Sequence, residues 1–207
     1  IRKKGLTQNN YGARYNVNYK DALWDVMGGC SMQLFRCNHG GKVTYIADEA
    51  LEKKYFTDGR YKYYDSDANK NDWSWFFKAN RKFGNGWNWF LDMQMRYVNY
   101  NTDGLNDHFE QRADGNYKNQ SIDINENYFF VNPKAGISYD ANGHKAYASI
   151  AYANREPERN NFTDNIGYGN PSPERLLDLE WGYQYQGENW FAGVNFYYMK
   201  YVNQFVM

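Results

Sequence analysis

Apolar residues recur at every second position along most of this chain, the period of a β-strand and not the 3.6 of a helix. Tyr11, Ala13, Tyr15, Val17 and Tyr19 alternate with Gly12, Arg14, Asn16 and Asn18. Trp24, Val26, Gly28, Cys30, Met32 and Leu34 alternate with Asp25, Met27, Gly29, Ser31 and Gln33. The clearest run sets Trp87, Trp89, Leu91, Met93, Met95 and Tyr97 against Asn88, Phe90, Asp92, Gln94 and Arg96. Leu177, Leu179, Trp181, Tyr183 and Tyr185 likewise face away from Asp178, Glu180, Gly182 and Gln184. The same reading predicts strands over 72–83, 128–139, 144–154 and 190–206, so that about eight are legible.

Strands with one apolar and one polar face suit two architectures. In a soluble sandwich the apolar face points inward, and in an outer-membrane barrel it points out to lipid while the polar face lines a wet lumen. Most segments reach ten residues or more, the length of a tilted membrane-spanning strand of ~9–11 residues and not of a sandwich strand, whose mode is about 5–6. The connections alternate in length: short at 20–22, 84–86, 140–143 and 186–189, long at 35–71, 101–127 and 155–172. Tight turns on one side and long loops on the other are the asymmetry of an up-and-down barrel. Gly84-Asn85-Gly86 and Asn142-Gly143 carry residues that tolerate positive φ, as tight hairpins require. The fold class expected is all-β, an antiparallel up-and-down transmembrane β-barrel present only in part.

Composition sharpens this. The chain has 207 residues, 24 basic and 24 acidic, which removes any electrostatic case for nucleic acid. No stretch approaches the ~20 apolar residues of a membrane-spanning helix. Aromatic residues make up 20% of positions, which argues against disorder. Trp73, Trp75, Trp87, Trp89, Trp181 and Trp190, with Tyr97, Tyr100, Tyr139 and Tyr185, fall near predicted strand ends, where interfacial aromatic girdles sit. An aromatic-rich soluble sandwich that stacks its rings on carbohydrate remains the alternative on residues alone, and a plug-less passive pore or barrel hydrolase is a third reading.

Candidate chemistry is sparse. Cys30 and Cys37, with His39 nearby, are too few for a zinc site, and they read as free thiols or as one bridge. Asp65-Ser66-Asp67-Ala68-Asn69 opens like a calcium loop, but Lys70 stands where that loop needs Gly and Phe76 where it needs Glu. His39, His108 and His144 are dispersed, with no nucleophile elbow. No catalytic residue, metal site or cofactor is expected, and the chain reads as a non-enzyme.

Four blocks carry a family resemblance. Phe130-Val131-Asn132-Pro133-Lys134-Ala135-Gly136-Ile137-Ser138-Tyr139, the stretch Tyr147 to Asp164 containing Asn154-Arg155-Glu156-Pro157-Glu158-Arg159, Pro173-Glu174-Arg175-Leu176-Leu177-Asp178-Leu179-Glu180-Trp181-Gly182-Tyr183, and Phe196 to Val206 keep order and spacing. Together they resemble the barrel of TonB-dependent outer-membrane receptors, especially those of Bacteroidetes-type bacteria, with weaker matches at Asn9-Asn10-Tyr11-Gly12 and Val17-Asn18-Tyr19-Lys20. The resemblance implies a 22-stranded barrel in the bacterial outer membrane, filled by a plug domain and opened by the inner-membrane TonB complex to import a scarce ligand such as a siderophore, haem or cobalamin. It implies that residues 1–207 are a middle segment of such a barrel, with plug and remaining strands outside it. The partners expected are the lipid bilayer, the plug, TonB, a small-molecule ligand and a surface lipoprotein.

Two sets of residues follow. Asp92, Arg96, Lys134, Asp178 and Glu180 are expected on the lumen face, where they form polar ladders against the plug. Ligand contacts are expected from the long connections. Tyr55, Arg60, Tyr61 and Tyr63 combine rings with nearby cations suited to an anionic, aromatic ligand, or pack loop on loop. Arg155, Glu156 and Arg159 stand where a strand enters a long loop, and either touch ligand or brace the loop base, with Pro157 ending the strand.

Overall fold

The computed structural model describes residues 1–55, 61–111, 113–115, 117–165 and 169–205. The two-residue periodicity becomes eight strands in one antiparallel sheet, ordered as in the chain: β1 (Arg2–Lys20), β2 (Trp24–Val43), β3 (Tyr61–Gly84), β4 (Trp87–Gln111), β5 (Tyr117–Ala141), β6 (His144–Arg155), β7 (Glu174–Gln186) and β8 (Phe191–Val202). Two short helices interrupt the connections, α1 (Glu49–Tyr55) and α2 (Arg159–Thr163). Sequential order in a single sheet leaves no opposing sheet among the described residues, and this sets aside the sandwich reading.

The register shows how the alternation sorts side chains. Across β5 to β8, Ile137 pairs with Ala148, Ala148 with Trp181 and Trp181 with Phe196, one apolar row. One step along, Gly136, Ser149, Glu180 and Tyr197 form the row on the other face, and Lys134, Ala151, Asp178 and Met199 form the next on that face. Trp181 and Phe196 stack at 5.5 Å between centroids, Trp87 meets Tyr139 at 5.1 Å, and Trp24 meets Trp89 edge-on at 5.8 Å. Such cross-strand ring pairs add roughly 0.5–1.5 kcal/mol each beyond their area.

The strands run further than the alternation predicts. Residues 35–43, 61–71, 101–111 and 117–127, expected as loop, are strand. The loops that remain on that side are 44–60, 112–116 and 156–173. The middle one is only five residues, so the regular alternation of short and long connections does not hold there. The reason is visible at the point where the pattern fails. On the face that carries Trp73, Tyr97 and Phe129, the next positions are Asn71, Asn99 and Asn127, so apolar alternation ends while strand pairing continues. Asn71 donates to Asn99 Oδ1 at 3.2 Å and Asn99 to Asn127 Oδ1 at 3.0 Å, a side-chain ladder across β3, β4 and β5.

The sheet divides into two compact units. Unit 1 comprises Ile1–Gly12, Gln33–Asp72 and Val98–Asn127, and buries Cys37, Tyr63, Tyr64, Ala68, Val98, Ile122 and Ile124. Unit 2 comprises Ala13–Met32, Trp73–Tyr97 and Tyr128–Met207, and buries Ala79, Tyr128, Phe130 and Phe162. Unit 2 also leaves one face of exposed large apolar side chains, Trp75, Phe77, Trp87, Phe129, Ile150, Trp181 and Phe196 among them. A soluble monomer rarely exposes so continuous an apolar surface.

Unit 2 closes its hairpins tightly. Asn85 and Gly86 take φ of 50° and 84°, and Asn142 and Gly143 take 53° and 78°, the pattern of a type I′ turn. A Cβ on Gly86 would come to 2.6 Å from Asp140 O, so this turn needs glycine for space as well as for φ.

The β1–β2 turn uses another device. Asp21 Oδ1 accepts the N–H groups of Leu23 at 2.8 Å and Trp24 at 2.7 Å, and Oδ2 accepts the Tyr19 hydroxyl at 2.8 Å. These bonds, the Trp24 and Leu23 amides first, hold its carboxyl below the ordinary aspartate value. A depressed folded value means the stabilisation is fully present above ~4 and is lost as pH falls through the folded value. The expected outcome is that D21A lowers the guanidinium midpoint of the protein at pH 7, and that the gap to wild type narrows towards pH 3. A gap independent of pH would contradict it.

Candidate functional site

Three groups of polar residues carry what chemistry the sheet offers. The first lies on the polar face of unit 2, where small polar residues link four strands. Asn132 donates to Gln94 Oε1 at 3.0 Å, Gln94 donates to Ser74 Oγ at 3.3 Å, and the Asn154 backbone N–H donates to Asn132 Oδ1 at 2.9 Å. Pro133 has no N–H to give to a ladder, and the Asn132 side chain supplies a bond beside it.

Asp92 pairs with Lys78 at 3.0 Å on this face, and both line a cleft of about 620 Å³ with Arg14, Phe76 and Lys134. The Arg14 guanidinium lies 5.5 Å from the Phe76 ring centroid. Three basic groups against one acid give the cleft a positive balance. Two strands on, Asp178 and Glu180 give the same face an acidic patch, where Asp178 Oδ1 is buried and makes no hydrogen bond among the described residues. The residues expected on the lumen face, Asp92, Arg96, Lys134, Asp178 and Glu180, are therefore collected by unit 2, as one basic and one acidic region and not as a uniform lining.

The second group is the base of the loop 156–173. Glu156 receives a two-pronged bond from Arg96, with Nη1 to Oε2 at 2.7 Å and Nη2 to Oε1 at 2.8 Å. The Glu156 side chain is 10% exposed and that of Arg96 23%, so the pair is largely withdrawn from water. Parallel N–H···O bonds of this kind fix geometry as well as charge. Pro157 follows and ends β6, then the Glu158 N–H donates to Asn161 Oδ1 at 2.7 Å to start α2. Arg155 instead lies 5.4 Å from the Phe205 ring centroid and is exposed, while Arg159 is half-buried. The geometry brings Glu156 and Arg96 together and disperses Arg155 and Arg159. Glu156 thereby has a bracing contact, whereas Arg155 keeps an exposed cationic head.

The third group is in unit 1. Of the expected ring-and-cation set, Tyr55 ends α1, Tyr61 begins β3 and is exposed, and Arg60 lies outside the described residues. Tyr63 is on β3 and only 6% exposed, its ring edge-on to Tyr64 at 5.0 Å and beneath the Arg2 guanidinium at 5.4 Å. Its hydroxyl is buried without a hydrogen bond among the described residues. Lys4 pairs with Asp107, and that bond holds the Asp107 carboxyl below its ordinary value.

Cys30 is exposed and Cys37 buried, and no disulfide joins them. Among the described residues no three His, Cys, Asp or Glu side chains come together to hold a metal. The partnership of Arg96 with Glu156, 60 residues apart, had no signal in the sequence.

The β-barrel model of TonB-dependent receptors matches residues 3–207. No curated protein matches the sequence. Among solved structures, the copper transporter OprC superposes with a TM-score of 0.69 at 13% identity over 95% of this chain and 30% of that one. The ferric-catecholate import receptor Fiu from E. coli K12 gives 0.61 at 11% identity, covering 95% of this chain and 32% of that one. The ferric yersiniabactin uptake receptor FyuA from Yersinia pestis gives 0.59 at 12%, covering 96% and 29%. At these identities the likeness is one of fold, and the chain spans about a third of each structure it matches.

Proposed function

Since this chain belongs to the TonB-dependent receptor β-barrel family, whose place is the outer membrane, we propose that it forms one arc of the wall of a receptor that imports a scarce small molecule. The observation that carries this reading is the two-faced sheet of unit 2. One face is an exposed apolar band edged by aromatic rings, and the other is a hydrogen-bonded polar surface crossed by ion pairs. A lipid-facing wall around a wet interior needs both.

In this reading the polar face abuts a plug domain encoded elsewhere in the protein. The basic cleft at Arg14, Lys78 and Lys134 and the acidic patch at Asp178 and Glu180 ask for opposite charges on that plug, because a desolvated charge is costly unless paired. The import step is driven by TonB, and the wall supplies a fixed frame and a braced loop. Rings and cations of the 44–60 connection and the start of β3, Tyr55, Arg60 and Tyr61, with Arg155 beside the 156–173 loop, are the proposed first contacts for ligand, which is a ferric siderophore, haem or cobalamin.

The test is growth of a strain lacking the receptor gene on each of ferric siderophores, haem and cobalamin as sole source. The gene is expected to restore growth on one of them, and only when TonB is functional. Restoration that is indifferent to TonB, or entry of all three without preference, would point to a passive pore.

A further inference from the structure

The basic cleft on the polar face of unit 2 is larger than its charges require. Its volume of about 620 Å³ is roughly twenty times the ~30 Å³ that a water occupies in the liquid. One carboxylate from a plug side chain would leave most of that space unfilled. The size is instead that of a small-molecule site, which is mostly apolar with a few well-placed polar groups.

Its lining has that division. The rim is charged: Arg14 comes from β1, Lys78 from β3 and Lys134 from β5, and all three are exposed. Neither Arg14 nor Lys134 forms an ion pair with a described residue. Lys78 is held by Asp92 at 3.0 Å, but their side chains are 51% and 32% exposed, so this pair is weak and exchanges readily. The amides of Gln94 and Asn132 are engaged in the network with Ser74 and Asn154, which leaves the cations to meet a solute.

The floor is apolar. Met27 comes from β2 and the Pro133 ring from β5, while β6 adds only the methyl groups of Ala151 and Ala153. The Phe76 ring packs directly on the β2 backbone at Gly29, where a Cβ would come to 2.8 Å from the ring and 2.5 Å from Tyr15 O. Glycine at this position keeps the ring low, and the Arg14 guanidinium stands beside it at 5.5 Å from the centroid. A wholly hydrophilic anion would gain nothing from such a floor, and a neutral solute would leave Arg14 and Lys134 unmet.

We propose that this cleft binds an aromatic carboxylate, with the carboxylate drawn to the Arg14, Lys78 and Lys134 rim and the ring on the floor of Met27, Phe76 and Pro133. Asp92 competes with the solute for Lys78. The proposal rests on the import reading, in which the polar face meets the wet interior, and adds to it a ligand class that excludes neutral and cationic solutes.

Full-length receptor in neutral detergent is titrated by calorimetry, against a micelle-only blank, with 2-naphthoate, 2-naphthylmethanol and acetate. Naphthoate is expected to bind at least tenfold more tightly than the other two, with affinity falling as salt rises. R14Q/K134Q is expected to weaken it at least tenfold, while R14K/K134R stays within threefold. D92N is expected to tighten it about threefold, because Lys78 is released. Lys145, paired with Asp140 near the short-turn end of the same face, supplies the control: K145Q stays within twofold. Heat-modifiable migration on gels reports the folding of each variant. No naphthoate binding by folded wild type overturns the proposal and leaves the cleft to a plug side chain. Unchanged binding in folded R14Q/K134Q, or weaker binding in folded D92N, also overturns it, and equal affinity for acetate removes its aromatic half. The import reading fails separately: naphthoate binding in a receptor whose growth effect ignores TonB keeps the site and loses that reading, and TonB-dependent growth without naphthoate binding does the reverse.

Discussion

Replacing Arg96 with alanine is expected to cost about 3 kcal/mol of receptor stability, the lower end of the range for breaking a buried pair. Glu156 is the reason. With its side chain 10% exposed, its carboxylate would lose both guanidinium bonds and remain where water reaches it poorly. Arg96 is more open, at 23%, so E156A is expected to cost less than R96A. The double variant R96A/E156A should cost less than the sum of the two, because it removes the stranded charge together with its partner. The loop reports the same event locally. Pro157 and α2 follow Glu156 directly, so limited proteolysis within 156–173 is expected to accelerate in R96A and in E156A, with the rest of the chain intact. Guanidinium midpoints and cleavage mapping together check this. If R96A and E156A cost under 0.5 kcal/mol, the figure typical of an exposed ion pair, the brace is only a surface contact.

The second large effect separates the two faces of one strand. Ile150 and Ser149 are adjacent on β6, at equal depth and on opposite sides. Ile150 pairs with Ala135 and Leu179 in the apolar set, and Ser149 pairs with Gly136 and Glu180 in the polar set. An arginine on a lipid face near the bilayer midplane costs roughly 2–4 kcal/mol. I150R is therefore expected to destabilise the receptor by that amount or to block its assembly in the membrane. S149R is expected to stay within about 1 kcal/mol, since Glu180 stands directly opposite to receive it. Equilibrium unfolding from lipid vesicles measures both. Equal costs at the two sites would mean that neither face meets lipid.

Where the sequence speaks clearly, it does so because lipid imposes a pattern. From Trp87 to Tyr97 each second residue is apolar, and β6, β7 and β8 match their predicted bounds to within a few residues. Asn85-Gly86 and Asn142-Gly143 declare their turns through positive φ. Beyond the apolar band that constraint vanishes. The 101–111 and 117–127 segments carry Asn, Asp, Gln and Gly where strand-formers would stand, so propensity reads them as loop. Pairing with neighbouring strands overrides that local preference, as β-propensity allows. The site was legible as a set of residues and not as a set of partnerships. Arg96 stands out by its polar position and Glu156 by the Asn154-to-Arg159 block, but nothing in one dimension joins them. Tyr63 illustrates the converse. Its neighbours Lys62 and Tyr64 make it look like part of a binding loop, and only the fold shows its ring turned into the core of unit 1.

The central claim is that the apolar alternation faces lipid and the polar alternation faces the interior of a barrel wall. It is tested most directly by spin labels placed singly at 146 to 153 of the full receptor in vesicles, with Cys30 and Cys37 first replaced by serine. Collision with oxygen dissolved in the bilayer is read at each position. The account predicts maxima at 146, 148, 150 and 152 and minima at 147, 149, 151 and 153. A flat profile, or maxima at the odd positions, would contradict it.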